Sequence, residues 1–355
     1  MVEQPVRVGI VGAGANTRER HIPGFRALPG VEIVGVVNRT PDSTARAAAE
    51  LGIPRTFSSW QDLVADPAID AVCIGTWPYL HCDVSCAALA AGKHVLTEAR
   101  MARNAAEAHR MLAASRAQPE LVAQIVPSPF GLGHDDYVRQ LLERNYLGEL
   151  RELVLIGADA SWWDYSKPLH WRQDADLSGY NVLTLGILHE TALRWAPPPV
   201  RVFAQTALFE PLRPHPTEQR NATVTVPDSV QVLTQLANGG RGLYHFSGVD
   251  LLGPGLQVHL YGSGGTIKLQ MNAGREEVYC GRLGDAELRK LELPESERGG
   301  WRVEAEFIGA IRGHEKVRYT DFATGVKYME FVEAVARSAA ANAPIALPLA
   351  EFDPQ

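Results

Sequence analysis

Residues 94–100 read HVLTEAR, a short apolar run followed by Glu98, Ala99 and Arg100. An acid and a base at a strand end can hold ligand hydroxyls and orient an anion. Arginine stays charged, so Arg100 can anchor a phosphate or steady an alkoxide but cannot serve as a practical base. A second chemical stretch is GIVGAGANTRERH at 9–21. Gly12 and Gly14 make a Gly-x-Gly turn that lets backbone amides approach a pyrophosphate at a helix N-terminus. Thr17 stands where the fingerprint has its third glycine. The loop follows the first strand, opens a helix and starts a βαβ unit. Gly12, Ala13, Gly14, Ala15, Asn16 and Thr17 are therefore expected to bind a dinucleotide. The second strand ends VVNRT. An NAD-selective site usually has a carboxylate there, on the ribose 2′-hydroxyl. Asn38 removes that repulsion to a 2′-phosphate and Arg39 adds a cation beside Thr40, so NADP(H) is expected over NAD(H).

Outside the glycine loop the most loaded stretch is SWWDYSKPLHWR at 161–172. Trp162, Trp163, Tyr165 and Trp171 can form a stacking wall for a sugar or aromatic ligand, or equally pack a core or a subunit contact. His170 can act as an acid, whereas Lys167 before proline reads as a solvated cation. Cys82 and Cys86 lie one helical turn apart beside His81, but no second ligand pair completes a metal site, and none is expected. The four cysteines make no disulfide framework in a chain of 355 residues.

The elements that must position these groups change character along the chain. The runs 6–11, 31–37, 71–74, 94–97 and 121–126 are apolar without alternation, the pattern of parallel strands buried on both faces. Ala-rich helical stretches at 41–51, 79–91 and 104–117 separate them. This predicts a doubly wound α/β domain over residues 1–126. After PSPFG come helices at 134–146 and 181–195, then strands with tight turns at 200–207, 229–236, 242–248, 256–261, 266–270 and 276–280. Tight turns imply antiparallel pairing, so residues 127–355 are expected to form an α+β domain with a large, mostly antiparallel open sheet. RPHPTEQR (213–220) reads as an exposed loop, and helices at 301–312 and 321–340 close the chain.

A net charge of −7 without a basic tract argues against nucleic-acid binding. No apolar run reaches the ~18–20 residues needed to span a bilayer. No signal-peptide core precedes the first strand, so a cytoplasmic location is expected.

The stretches 9–21, IGTWPYLH (74–81), AGKHVLTEAR (91–100), SGYNVLTLGILHE (178–190) and SAAANAPIAL (338–347) together resemble the Gfo/Idh/MocA family, the glucose–fructose oxidoreductase and inositol dehydrogenase group. The resemblance implies a Rossmann domain, a C-terminal domain with a large open sheet, and an active site between them. It also implies homodimers or homotetramers joined through that sheet, and hydride transfer between a nicotinamide and a sugar or cyclitol hydroxyl carbon. Gly75, Thr76, Trp77 and His81 fall where the family contacts its cofactor. Glu98-Ala99-Arg100 stands for Glu-Lys-Pro, whose lysine touches the nicotinamide ribose and often the reacting hydroxyl. Thr184 and Leu188 replace the family's aspartate and catalytic histidine, which empties the usual acid–base pair. His189 is next door but ~100° around a helix. Tyr180 replaces a glycine. The chain thus reads as an NAD(P)-dependent oxidoreductase for a polar alcohol or carbonyl, with His170, His189 and Tyr180 as candidate proton carriers. An eliminase or hydrolase with tightly held cofactor, or a cofactor-binding protein without catalysis, are the alternatives.

Overall fold

The computed structural model describes residues 5–272 and 274–352. They divide into two compact units, one running to Pro127 and taking back Arg302–Val326, the other holding Ser128–Trp301 and the chain from Lys327 on.

In the first unit β1 (Val6–Val11), β2 (Val31–Val37), β3 (Ala71–Ile74), β4 (His94–Thr97) and β5 (Ala123–Ile125) form a parallel sheet in the order β2-β1-β3-β4-β5. Helices α1 (Ile22–Arg26), α2 (Pro41–Leu51), α3 (Trp60–Ala65), α4 (Pro78–Ala90) and α5 (Ala105–Arg116) make the connections. All four residues of β3 are buried, as expected of a central strand covered on both faces. Thr40 caps α2 by accepting from the Ser43 amide, Pro41 begins the helix, and Gly52 ends it in the left-handed conformation.

Strand order reverses between β1 and β3, and the loops leaving those two strands meet backbone to backbone. A Cβ on Gly75 would lie 2.0 Å from Thr17 Oγ1 and 2.3 Å from the Gly12 carbonyl oxygen. One on Gly12, at φ +89°, would lie 2.8 Å from Thr76 Cγ2. Only glycine fits at either position.

The second unit contains α6 (Asp135–Glu143), β6 (Leu150–Ala158), α7 (Ala175–Ser178), α8 (Leu185–Leu193) and β7 (Pro199–Ala207). The strands β8 (Leu212–Pro214) and β9 (Asn221–Thr223) pair as a small hairpin, so the run expected to be a plain loop is its turn. There follow β10 (Ser229–Leu236), β11 (Arg241–Ser247), β12 (Gly255–Gly262), β13 (Gly265–Asn272), β14 (Arg275–Arg282) and β15 (Arg289–Lys290). With β16 (Ile345–Ala346) they build a nine-stranded sheet in the order β15-β14-β13-β12-β6-β11-β10-β7-β16. Among its pairs only β6 and β11 run parallel. Strand β10 alternates buried and exposed residues along its length, the mark of a sheet with one covered face.

The chain then returns. Helix α9 (Val303–Ile311) belongs to the first unit, not to the second as the expected 127–355 boundary has it. The backbone of β5 explains the return: Ile125 N–H donates to the Thr320 carbonyl at 2.9 Å, and Gln124 Nε2 donates to Tyr319 O and to Glu306 Oε1. Phe307 meets Phe25 of α1 edge-on. An edge strand with open hydrogen-bonding groups and an apolar helix face are thereby covered by one segment. The last helix is α10 (Phe322–Ala341). Among the described residues no helix is long and apolar enough to cross a membrane.

Candidate cofactor and active site

A cavity of about 620 Å³ opens at the carboxyl ends of β1, β2 and β3, where ligands bind in open parallel sheets. Gly12, Ala13, Gly14, Asn38, Arg39, Thr40, Gly75, Thr76 and Trp77 line it, so the expected cofactor residues from three separate stretches do come together. Ser43, Arg46, Ser59, Trp60 and Tyr79 also line it and were not foreseen. The first two sit one turn apart on α2, a signal that needed the helix to be placed first.

The Asn38 carboxamide is engaged at both ends. Its oxygen accepts from Ala13 N–H at 2.8 Å and its amide nitrogen donates to the Ser43 carbonyl at 3.0 Å. Asn38 therefore fixes the glycine loop against the start of α2. The Arg39 guanidinium lies over the Trp77 ring, 5.4 Å from its centroid. Thr40 spends its hydroxyl as the α2 cap. Thr17 is buried and donates to the Gly12 carbonyl, so it secures the loop instead of facing a ligand. The Thr76 hydroxyl is buried on the cavity wall with no hydrogen-bond partner among the described residues. Such an orphan asks for a ligand group, and with the glycine backbone beside it the residues fit a dinucleotide.

His81 departs from expectation. It is fully buried, with Nε2 2.9 Å from the Thr76 carbonyl and Nδ1 2.9 Å from the Arg100 carbonyl. Burial lowers its pKa, against the pull of those two acceptors, which favour the protonated ring. Each nitrogen faces a backbone carbonyl and the neutral ring donates to one of them, so His81 ties the turn before α4 to the β4 end. Arg100 is likewise buried, at 4% exposure.

Glu98 follows β4 and keeps 15% of its side chain exposed. Its Oε1 accepts from Asn16 Nδ2 at 2.5 Å and from His21 Nε2 at 2.9 Å. Burial alone would raise its pKa, but the His21 hydrogen bond and charge outweigh that and hold it below the usual carboxylate range. His21, which the sequence reading left without a role, is entirely buried and also donates from Nδ1 to Glu304 Oε1 at 2.5 Å.

In the second unit the aromatic stretch forms one cluster. The His170 ring sits 5.3 Å from Trp162 and 5.5 Å from Trp171, and Arg172 covers the Trp171 ring. Trp162 packs on Gly248, where a Cβ would lie 2.0 Å from its ring, while Trp163 and Tyr165 are exposed. His170 Nδ1 accepts from Arg172 N–H at 3.2 Å, which leaves the proton of the neutral ring on Nε2. Burial, then the charge of Arg172, lowers its pKa. Tyr180 is exposed just before α8.

His189 lies in the core of this unit, stacked at 3.7 Å on Phe331, with Nδ1 3.1 Å from the Tyr244 hydroxyl. Burial drives its pKa down to about 3. Its expected role as a proton carrier is corrected: a neutral imidazole sealed in the core exchanges no proton with a ligand. Among the described residues no group of three metal-ligating side chains converges.

Residues 6–125 match the family model of an oxidoreductase family with an NAD-binding Rossmann fold, and residues 136–268 match the GFO/IDH/MocA C-terminal domain. An uncharacterised oxidoreductase of Rhizobium meliloti is 30% identical over 57% of this chain and 60% of its own length. The 1,5-anhydro-D-fructose reductase of Ensifer adhaerens is 38% identical over 31% of this chain and 33% of its own. These matches therefore span less than two thirds of the relatives. Levoglucosan dehydrogenase in complex with NADH superimposes with a TM-score of 0.86 at 22% identity, covering 98% of this chain and all of that one, which establishes a shared fold.

The sealed histidine carries a pH signature. The unfolded chain takes up a proton at His189 below about pH 6.5, while the folded pKa is about 3. Its contribution to stability is thus complete above pH 6.5 and is lost as pH falls toward 3. Between pH 7 and 4.5 the wild type should lose ~2–3 kcal/mol through this group alone. Urea midpoints at both pH values should show a smaller loss for His189→Phe, and an equal loss would show that the imidazole is not held neutral.

Proposed function

Because the chain belongs to the GFO/IDH/MocA oxidoreductase family, we propose that it transfers hydride between NADP(H) and a sugar- or cyclitol-like alcohol or carbonyl, using a non-standard proton carrier. The observation that carries this reading is the cavity at the strand ends, with its glycine backbone and orphan Thr76 hydroxyl. When bound there, the nicotinamide supplies the hydride acceptor or donor. Gly12, Ala13 and Gly14 admit the pyrophosphate, Thr76 hydrogen-bonds to the cofactor, and Glu98 holds a ribose or substrate hydroxyl.

Arg39 and Arg46 make the adenosine end of the cavity cationic, and no carboxylate stands at position 38. Both features favour a 2′-phosphate. Arg39→Ala with Arg46→Ala should weaken NADPH binding ~10-fold or more and leave NADH within ~3-fold, by fluorescence titration. Tighter binding of NADH than NADPH by the wild type would refute the preference.

The positions that carry the family's acid–base pair hold Thr184 and Leu188, and Leu188 is buried. With His189 sealed, Tyr180 and His170 remain. His170 has its Nδ1 occupied by a backbone amide, so it must change tautomer to accept a proton at Nε2. We assign the proton to the Tyr180 hydroxyl and a stacking role to Trp163, Tyr165 and the Trp162–His170–Trp171 cluster. Tyr180→Phe should lower kcat ~10²-fold or more with KM little changed, and flatten one limb of the pH–rate profile. Retained turnover with both limbs would move the proton to His170 or water. Absence of any substrate-dependent absorbance change with exchanging cofactor would favour the non-redox alternative.

The open face of the nine-stranded sheet suits self-association. Phe203, Leu233, Leu243 and Val154 lie in one register row across β7, β10, β11 and β6, with Leu233 57% and Leu243 48% exposed. Light scattering at micromolar concentration should give a dimer or tetramer mass, and Leu233→Glu with Leu243→Glu should shift it toward the monomer.

A further inference from the structure

Three segments far apart in sequence converge on one imidazole. His21 closes a π-helical turn over Thr17–His21, a widened turn that is frequent at functional sites. It bridges Glu98 at the β4 end and Glu304 on α9. Gly24 makes the approach of Glu304 possible, since a Cβ there would lie 2.7 Å from its carboxyl carbon. Asn16 adds its amide to the same Glu98 oxygen. Of the two Glu98 oxygens, Oε1 is saturated by Asn16 and His21, while among the described residues Oε2 has only the Ala99 amide at 3.3 Å.

We propose that His21, clamped by Glu304, is a positioning residue that holds the Glu98 carboxylate ionised and presents Oε2 to a hydroxyl of the bound cofactor or substrate. This rests on the assignment of Glu98 as a ligand-binding group. The family lysine that touches this region is Ala99 here, so Glu98 must be fixed from behind. A protonated imidazole donates to both carboxylates at once, whereas a neutral one satisfies one and turns a lone pair on the other. The order at Glu98 therefore depends on the His21 proton. Burial opposes that proton, but the hydrogen bonds and charges of Glu304 and Glu98 outweigh it and raise the pKa to about 9. The groups facing this ring include Asn16 from the helix start, Glu98 from the β4 end and Glu304 from α9. His81 of α4 stands near Glu98 but is held neutral by burial, and the buried Cys73 thiol of β3 feels both carboxylates.

The test follows NADPH or NADH fluorescence on the full-length protein from pH 7 to 10. Wild-type affinity should hold through about pH 8 and fall ~5-fold or more as pH rises past about 9. Glu304→Gln, nearly isosteric, should keep affinity near pH 7 within ~3-fold and move the break down by about one pH unit or more. His21→Gln should bind more weakly at every pH and show no break. A break in Glu304→Gln at the wild-type pH overturns the proposal, even if His21→Gln fails to fold. Glu98→Gln separates the two levels. If it leaves cofactor affinity and KM unchanged, the ligand-binding reading of Glu98 fails. If it weakens either while Glu304→Gln leaves the break in place, only the positioning role fails.

Discussion

The site depends on a close approach of two backbones. At the point where strand order reverses, the loop after β1 and the loop after β3 touch with no room for a side chain at Gly12 or Gly75. Thr17 locks the contact by donating to the Gly12 carbonyl, and Asn38 pins the Ala13 amide from the neighbouring strand. Everything else at the carboxyl edge is arranged around this contact. The cavity opens beside it, α2 starts where Asn38 fixes the chain, and the buried Thr76 hydroxyl on its wall is left without a hydrogen-bond partner among the described residues.

Behind that edge the first unit buries charge, which costs several kcal/mol per ion unless partners are well placed. His21 between two carboxylates meets the condition, with both ring nitrogens satisfied at 2.5 and 2.9 Å. Glu306 meets it differently, by accepting from the Arg318 and Tyr319 amides and from Gln124. Both acids sit on α9, so the segment that covers β5 also brings the carboxylates that order the site. A helix with one apolar face would have covered the edge. The acids show that the return of the chain serves polar organisation as well.

The second unit resolves its histidines in opposite senses. His189 is taken into the core and neutralised by burial, while His170 is held between two indoles at the surface of a loop. Neighbouring Leu188 and His189 are both buried because α8 is covered on most of its circumference. A shift of one residue along such a helix changes which core contact a side chain makes, not whether it reaches a ligand.

The parallel strands, the glycine turn and the tightly turned antiparallel strands of the large sheet were legible in the sequence, because each depends on neighbours in the chain. Burial on both faces leaves a continuous apolar run, and a short Gly or Asn turn between two strand-like runs marks an antiparallel pair. What the sequence could not determine were the meetings of distant residues. His21 and Glu304 are 283 positions apart, and nothing in either local pattern distinguishes a buried ion pair from two surface charges. The return of Arg302–Val326 to the first unit is equally silent, since a helix of that composition packs as well on one core as on another. The fates of His81, His189 and Asn38 were decided by which backbone carbonyl, ring or amide stood opposite each side chain. That depends on the packing of whole elements, so only the tertiary structure decided it.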